Sequence, residues 1–446
     1  MRTFTGWQGS ASTAHQRLLS SDRKWVALTG GSQTYGLLVD NGHCYGANDE
    51  PIKSTIIGNF EWRLPEFQRH SNAAGHAATL VKAYQEHGTG CVELLTGHFA
   101  LAIIDSSANQ SLLCVDHFAT IPIYYVNDRG NLFFSTNISD LRKLADIQPR
   151  IDPQALYNYL YFHCVPSPGT VFPTIQKTRA ASLVLTENGS TKPSKYWLPN
   201  FQTTHLPDAK WKKALMEKLD TAVRRCSPSH TTGSFLSGGL DSSTISGVLK
   251  HNEPNARAFS IGFDEDGYDE MEYARIAAKH FGIELVEYYV TADDVADAFP
   301  LIASAYDEPF GNSSAIPTFF CAKLAKSNGA DKLLAGDGGD ELFAGNTRYR
   351  KQQIFNHYGK IPSLLRTALL EPLGLKLPTR HLFPSKLRSY ISQAKIPMPE
   401  RLETYNLLER ETLTQMFHPE FLETIDHRQP RDLQRDVFHE VEDADF

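Results

Sequence analysis

Two short stretches of this sequence place hydroxyls, carboxylates and glycines at spacings that suit phosphate chemistry. The first is Ser237-Gly-Gly-Leu-Asp-Ser-Ser243, between a short apolar run, Gly233 to Leu236, and a helical pattern, Ser242 to Lys250. Glycines let backbone approach an anion closely. The unpaired N–H groups of a helix start, with the hydroxyls of Ser237, Ser242 and Ser243, can then hold phosphate oxygens. The turn has no lysine, and no G-x-x-x-x-G-K-[ST] occurs anywhere in the chain, so it is not a Walker A loop. Phosphate charge therefore needs another counterion, and Asp241 points to Mg²⁺.

The second stretch is Ala335-Gly-Asp-Gly-Gly-Asp-Glu-Leu-Phe-Ala-Gly345. Its acids Asp337, Asp340 and Glu341 repel one another unless a cation lies among them. Mg²⁺ takes one or two carboxylates together with substrate phosphates, and Asp241 and Asp340, on neighbouring loops, could supply them. A merely solvated acidic loop is the competing reading of this stretch alone; the two motifs in this order are far more specific than either.

Positioning such loops falls to the elements around them. From residue 211 onward helical and strand signals alternate. Trp211 to Arg225 reads as a helix, Ala258 to Phe263 as a strand, and Glu270 to Phe281 as a helix. Leu285 to Val290 follows as a strand, Ile316 to Ser327 as a helix and Lys332 to Ala335 as a strand. That alternation predicts a parallel sheet with helices on its faces, where ligands sit at the carboxyl ends of strands. Residues 1–197 read instead as a mixed domain dominated by short strands, among them Glu93 to Asp105, Ser111 to Asp116, Ile121 to Val126 and Asn131 to Ser135, with a helical spacing from Ala73 to His87. Residues 198–210 read as a linker and 211–446 as the second domain, mainly helical from Thr347.

Composition narrows the function classes. The 446 residues carry 44 Lys and Arg against 51 Asp and Glu, a net charge of −7, which disfavours a nucleic-acid binder. Six cysteines are scattered without a C-x-x-C pair and 17 histidines without H-x-x-x-H, against a zinc knuckle or a disulfide framework. The beginning lacks the apolar core of a secretory signal and no apolar run is long enough to span a bilayer, so a cytoplasmic protein without a membrane partner is expected.

These motifs resemble the asparagine synthetase family, whose synthetase domain is a PP-loop ATP pyrophosphatase. Phe259-Ser-Ile-Gly-Phe263, Tyr268-Asp-Glu270, Tyr273-Ala-Arg275, Asp307-Glu-Pro-Phe310 and Ser313-Ser-Ala-Ile-Pro-Thr318 agree in order and spacing. Gly97-His-Phe-Ala100, Asp116-His-Phe118, Tyr124-Tyr125, Asn131-Leu-Phe-Phe-Ser135 and the Tyr196-Trp197 junction resemble the family's N-terminal glutaminase-type domain. The resemblance implies an α/β synthetase domain of the adenine nucleotide α-hydrolase-like type behind an α+β Ntn-hydrolase-like domain. It implies amide formation with ATP and Mg²⁺. A small-molecule or peptide carboxylate attacks the α-phosphate, pyrophosphate leaves, and ammonia or an amine captures the acyl-adenylate, releasing AMP. It further implies that Ser237, Gly238, Gly239, Ser242 and Ser243 hold pyrophosphate and that Asp241 and Asp340 ligate Mg²⁺. Phe235, Ile261, Ala335 and Gly336 would line adenosine mainly through backbone, and Asp337 would lie beside the reacting carboxylate.

Two departures shape the expectation. Glutamine-hydrolysing members use a cysteine exposed by methionine removal; here position 2 is Arg2 and the earliest cysteine is Cys44, so no glutaminase activity is expected. The family also carries a phosphate-contacting lysine in a later helical segment, and none of Lys351, Lys360, Lys376, Lys386 or Lys395 matches it, so the C-terminal part reads as short. Lasso-peptide cyclases and β-lactam-forming synthetases share this layout, and the acceptor stays open among them. A homodimer, a partner subunit and a non-catalytic nucleotide-binding protein also stay open.

Overall fold

In the computed structural model the described residues are 3–9, 24–30, 33–40, 43–45, 50–202, 204–227, 231–264, 269–372, 382–406, 408 and 412–441. Arg2, Tyr268 and Lys376 lie outside them. The chain forms two compact units. One holds the described residues up to Asn200 with Asp307–Gly311 and Phe417–Pro430; the other holds Phe201–Tyr306, Asn312–Met416 and the chain from Arg431. The halves are thus interleaved, where the sequence suggests two consecutive stretches.

The first unit contains two six-stranded sheets. One comprises β1 (Thr3–Gly9), β2 (Lys24–Gly30), β3 (Gln33–Asp40), β8 (Tyr124–Asp128), β9 (Asn131–Ser135) and β10 (Gln176–Lys177). The other comprises β4 (His43–Tyr45), β5 (Ile52–Trp62), β6 (Leu95–Asp105), β7 (Gln110–Val115), β11 (Ser182–Glu187) and β12 (Ser190–Lys195). Every pairing in both is antiparallel. Helices α1 (Pro65–Ala74) and α2 (His76–His87) follow β5, and α3 (Ile138–Ala145) and α4 (Pro153–Phe162) follow β9. Alternate residues of β6 serve two cores. Phe99, Leu101 and Ile103 pack with Phe67 and Leu80 of the helices, while Ala100, Ala102 and Ile104 pack with Phe4, Leu37 and Phe134 of the opposite sheet. A strand buried on both faces cannot alternate polar with apolar, hence the unbroken run from Phe99 to Ile104.

Several stretches that drew the family resemblance hold this unit together. The buried Asp116 carboxylate accepts hydrogen bonds from the amides of Phe99 (3.1 Å) and Phe118 (2.8 Å), and from the Thr120 hydroxyl. The Tyr196 hydroxyl donates to the Val115 carbonyl at 2.9 Å, and Trp197 meets the His117 ring edge-on at 4.6 Å.

The second unit is built on a four-stranded sheet, order β15 (Glu284–Val290), β14 (Arg257–Phe263), β13 (Thr232–Phe235), β16 (Lys332–Leu334), with all strands parallel. The order of elements is α5 (Asp208–Cys226), β13 (Thr232–Phe235), α6 (Leu240–Asn252), β14 (Arg257–Phe263), α7 (Met271–Phe281) and β15 (Glu284–Val290). Then come α8 (Ala292–Ala305), α9 (Ala315–Ser327), β16 (Lys332–Leu334), α10 (Gly339–Phe343) and α11 (Thr347–Gly359). Helix α5 begins at Asp208, inside the expected linker. The core splits between faces. Leu236 and Ala258 pack on Met271, Ala274 and Ala278 of α7, whereas Phe259 packs on Cys321 and Ala325 of α9. No helix among the described residues is long and apolar enough to cross a membrane.

Because the buried Asp116 carboxylate accepts from the buried Phe99 amide, the partly buried Phe118 amide and the Thr120 hydroxyl, Asp116→Ala is expected to destabilise the first unit by about 2–4 kcal/mol. Urea unfolding with amide exchange read at β6 measures this; a loss below about 1 kcal/mol would contradict it.

Candidate active site

The centre of the parallel sheet sets the geometry. Strand β13 lies between β14 and β16, with Thr232, Gly233 and Ser234 buried. Gly233 is required by close packing, since a β-carbon there would lie 2.7 Å from Phe259 Cε2. The ladder continues one residue past the strand, where the Leu236 amide donates to the Phe259 carbonyl at 3.0 Å. The chain then reverses at Gly238 with φ of +88°, and a β-carbon there would meet Tyr273 Cβ at 2.5 Å and Ala274 N at 2.6 Å. Positive φ and α7 on its flank together exclude a side chain.

Helix α6 starts immediately after this turn, so the amides of Leu240, Asp241 and Ser242 have no intrahelical partner, and no other described residue takes them. The hydroxyls divide into two kinds. Ser237 and Ser242 bond to one another at 3.0 Å, Ser237 Oγ accepts from the Gly239 amide at 3.3 Å, and Ser242 Oγ donates to the Gly239 carbonyl at 3.2 Å. Ser243 Oγ is buried without a hydrogen-bond partner among the described residues. The turn is pre-shaped by the first two serines, and the third is left with its hydrogen-bonding capacity unused.

The acidic loop follows β16, and two of its glycines lie directly on Asp241. A β-carbon at Gly336 would lie 2.7 Å from both Asp241 C and Ser242 N, and one at Gly339 would intrude on the Asp241 carboxylate. Gly338, with φ of +86°, makes the bend between them, and the Gly339 amide donates to the Gly336 carbonyl at 3.2 Å. Asp241 is half-buried; Asp337, Asp340 and Glu341 are exposed. None of the four carboxylates forms a hydrogen bond or ion pair with a described residue. Asp340 Oδ1 lies against Gly345, whose amide donates to the Asp340 carbonyl at 3.1 Å.

The remaining site candidates fall beside these loops. Phe235 and Ile261 turn their side chains into the core with Phe259 and Leu333, leaving backbone as what they offer a ligand. Ala335 is exposed and Gly336 half-buried. Two residues have roles beyond the sequence reading: Gly339, which makes room for Asp241, and Tyr273, which seats Gly238. Helix α7 is tied to β15 through Arg275, which donates to Glu287 Oε1 at 2.9 Å and Oε2 at 2.6 Å. The run of glycines was visible in the sequence; which acid each would face depends on the register of two distant strands.

Among the described residues no three His, Cys, Asp or Glu side chains gather as a metal cage. Mg²⁺ needs none, because it binds through one or two carboxylates with phosphates and water completing its octahedron. An unneutralised Asp241 beside a row of free amides and an unpartnered Ser243 hydroxyl fits a magnesium-bound phosphate.

The asparagine synthase family matches residues 214–437, and the glutamine amidotransferase domain family matches residues 10–197. The chain belongs to the asparagine synthase family. Asparagine synthetase [glutamine-hydrolyzing] 1 of Bacillus subtilis (strain 168) is 30% identical over 338 residues, covering 73% of this chain and 52% of its own length. Asparagine synthetase [glutamine-hydrolyzing] 3 of the same organism is 25% identical, covering 74% and 55% respectively. The chain thus spans about half the length of these asparagine synthase relatives. A solved structure of the allosteric regulatory enzyme of purine biosynthesis aligns with 75% of this chain and 89% of its own at 7% identity, with a TM-score of 0.31, too loose to carry an argument.

In the amidotransferase-type unit, burial acts against nucleophilic use of three thiols. Cys91 is pushed up to about 12, and Cys114 well above the ordinary thiol range. Exposed Cys164 is raised as well, by partial burial first. In the synthetase-type unit Cys321 is likewise pushed up to about 12.

Two outcomes follow. Gly339→Ala should displace the Asp241 carboxylate and weaken Mg·ATP binding by about tenfold or more, while Gly359→Ala, whose β-carbon meets open space, leaves it unchanged. Calorimetric titration compares them, and equal affinities would contradict the packing argument. At pH 8 only about 10⁻⁴ of a thiol of pKa near 12 is thiolate. Cys91 and Cys321 should therefore resist a thiol reagent until denaturant is added, and so should Cys114, which is fully buried and raised well above the ordinary thiol range; mass mapping of native modification at these positions would show otherwise.

Proposed function

We propose that this chain activates a carboxylate by adenylation with ATP and forms an amide from the acyl-adenylate, releasing AMP and pyrophosphate. The observation that carries this reading is the seating of Gly336 and Gly339 on Asp241 and Ser242, which makes the hydroxyl-lined turn and the acidic loop one surface. In this reading the amides of Leu240, Asp241 and Ser242 and the Ser243 hydroxyl bind the departing pyrophosphate. Their donors are fixed before the reaction, so charge developing on the leaving group meets them without reorganisation. Asp241 and Asp340 would hold Mg²⁺, which supplies charge neutralisation on the phosphates. The backbone of Phe235, Ile261, Ala335 and Gly336 borders adenosine, and Asp337 orients or deprotonates the incoming amine.

For the nitrogen source we infer ammonia or an amine. Support comes from three of that unit's four cysteines, Cys91, Cys114 and Cys164, whose thiols burial disfavours from ionising, whereas glutamine hydrolysis needs a thiolate. L-Aspartate is the carboxylate to test first, because the curated relatives are named asparagine synthetases.

ATP–pyrophosphate exchange tests the reading. Aspartate, or a peptide carboxylate if aspartate is not accepted, should stimulate exchange with Mg²⁺ present, and Asp241→Ala should lower the rate by about 10²- to 10³-fold. No exchange with either class, despite bound Mg·ATP, would replace this reading with a non-catalytic nucleotide-binding one.

A further inference from the structure

The segment Asp307–Gly311 belongs to the first unit, although α8 before it and α9 after it belong to the second. Its attachments are dense for five residues. Asn137 Nδ2 donates to Asp307 Oδ1 at 3.0 Å, from a residue whose own Oδ1 caps α3. Lys177 Nζ lies 2.7 Å from Glu308 Oε2 and donates to the Val165 carbonyl at 2.6 Å. The Val171 amide donates to Glu308 Oε1 at 3.2 Å, and the Gly311 amide donates to the His163 carbonyl at 2.8 Å. The side chains of Lys177 and Glu308 are 16% and 11% exposed, unlike the surface pairs on α5, so solvent screens this pair little. Burial raises the pKa of Asp307 and of Tyr124, and Tyr124 faces both carboxylates.

Directly after this strap the chain makes the turn that opens α9. Asn312 Oδ1 accepts from the Ser314 amide at 2.9 Å, and the amides of Ala315, Ile316 and Thr318 bond back to Asn312, Ser313 and Ser314. Helix α9 in turn carries Cys321 and Ala325, the residues packed on Phe259 of β14, the neighbour of β13.

We propose that Glu308 is a positioning residue: its ion pair with Lys177 fastens the strap to the amidotransferase-type unit, and through the chain this sets the turn that starts α9. A second strap gives an internal comparison. Residues Phe417–Pro430 also belong to the first unit, held by a reciprocal amide pair in which Gln154 Nε2 donates to the Asp426 carbonyl at 3.1 Å and Gln154 Oε1 accepts from the Asp426 amide at 2.6 Å.

The test is hydrogen exchange on the full chain. Glu308→Gln keeps an acceptor for Val171 but removes the charge facing Lys177, so the amides of Ser314, Ala315, Ile316 and Thr318 should exchange about tenfold faster or more. Lys177→Met should do the same, and Lys177→Met with Glu308→Gln should add little beyond either, the mark of one shared interaction. Gln154→Ala should speed exchange in 417–430 and leave 312–318 unchanged. Unchanged exchange at 312–318 in Glu308→Gln, additive effects in the double variant, or loosening spread evenly over both straps would each overturn the proposal. The readout needs no turnover, so failure of the adenylation reading would leave this result standing.

Discussion

The arrangement depends on one steric constraint: two turns from separate strands approach so closely that only glycine fits between them. At Gly336 and Gly339 the missing β-carbons are what let backbone lie on Asp241 and Ser242. Any side chain there would push the acidic loop away from the amides at the start of α6. A parallel sheet makes the approach natural, because β13 and β16 are neighbours running in the same direction and both deliver their turns to one edge. No described side chain pairs with the Asp241 carboxylate, which leaves its oxygens open to a bound cation.

The turn also shows a division of labour among like residues. Ser237 and Ser242 spend their hydroxyls on each other and on the turn's backbone, giving shape. Ser243 and the first-turn amides of α6 are left with open hydrogen-bonding capacity. Preorganisation of this kind costs stability locally, since a buried hydroxyl without a partner is unfavourable in the absence of ligand. The compensation comes from the core around Phe259 and from α7, whose Tyr273 seats Gly238.

What could be read from sequence followed from burial. Strands covered on both faces, such as β6 and β14, show as apolar runs, and the glycine-rich turns after β13 and β16 show as breaks between strand and helix patterns. Less was legible where no such pattern exists. Strand β12 reads Ser-Thr-Lys-Pro-Ser-Lys, is largely exposed, and is a strand only because β11 pairs with it along its whole length. Helix α8 carries an internal Pro300 that argues against a helix, yet a capping box between Thr291 and Asp294 starts it. The interleaving of the units was hidden for a different reason. Asp307-Glu-Pro-Phe310 stood out as a motif, but its partners Asn137, Val171 and Lys177 lie over a hundred residues away, and no local pattern encodes such pairings.

The most direct test is the structure of this chain with Mg²⁺ and an ATP analogue bearing a non-hydrolysable α,β-bridge. The account predicts the β- and γ-phosphates on the amides of Leu240 to Ser242, a metal ligated by Asp241, and Gly336 and Gly339 still seated against that residue. A nucleotide bound away from this turn, or bound with the acidic loop withdrawn from Asp241, would contradict it.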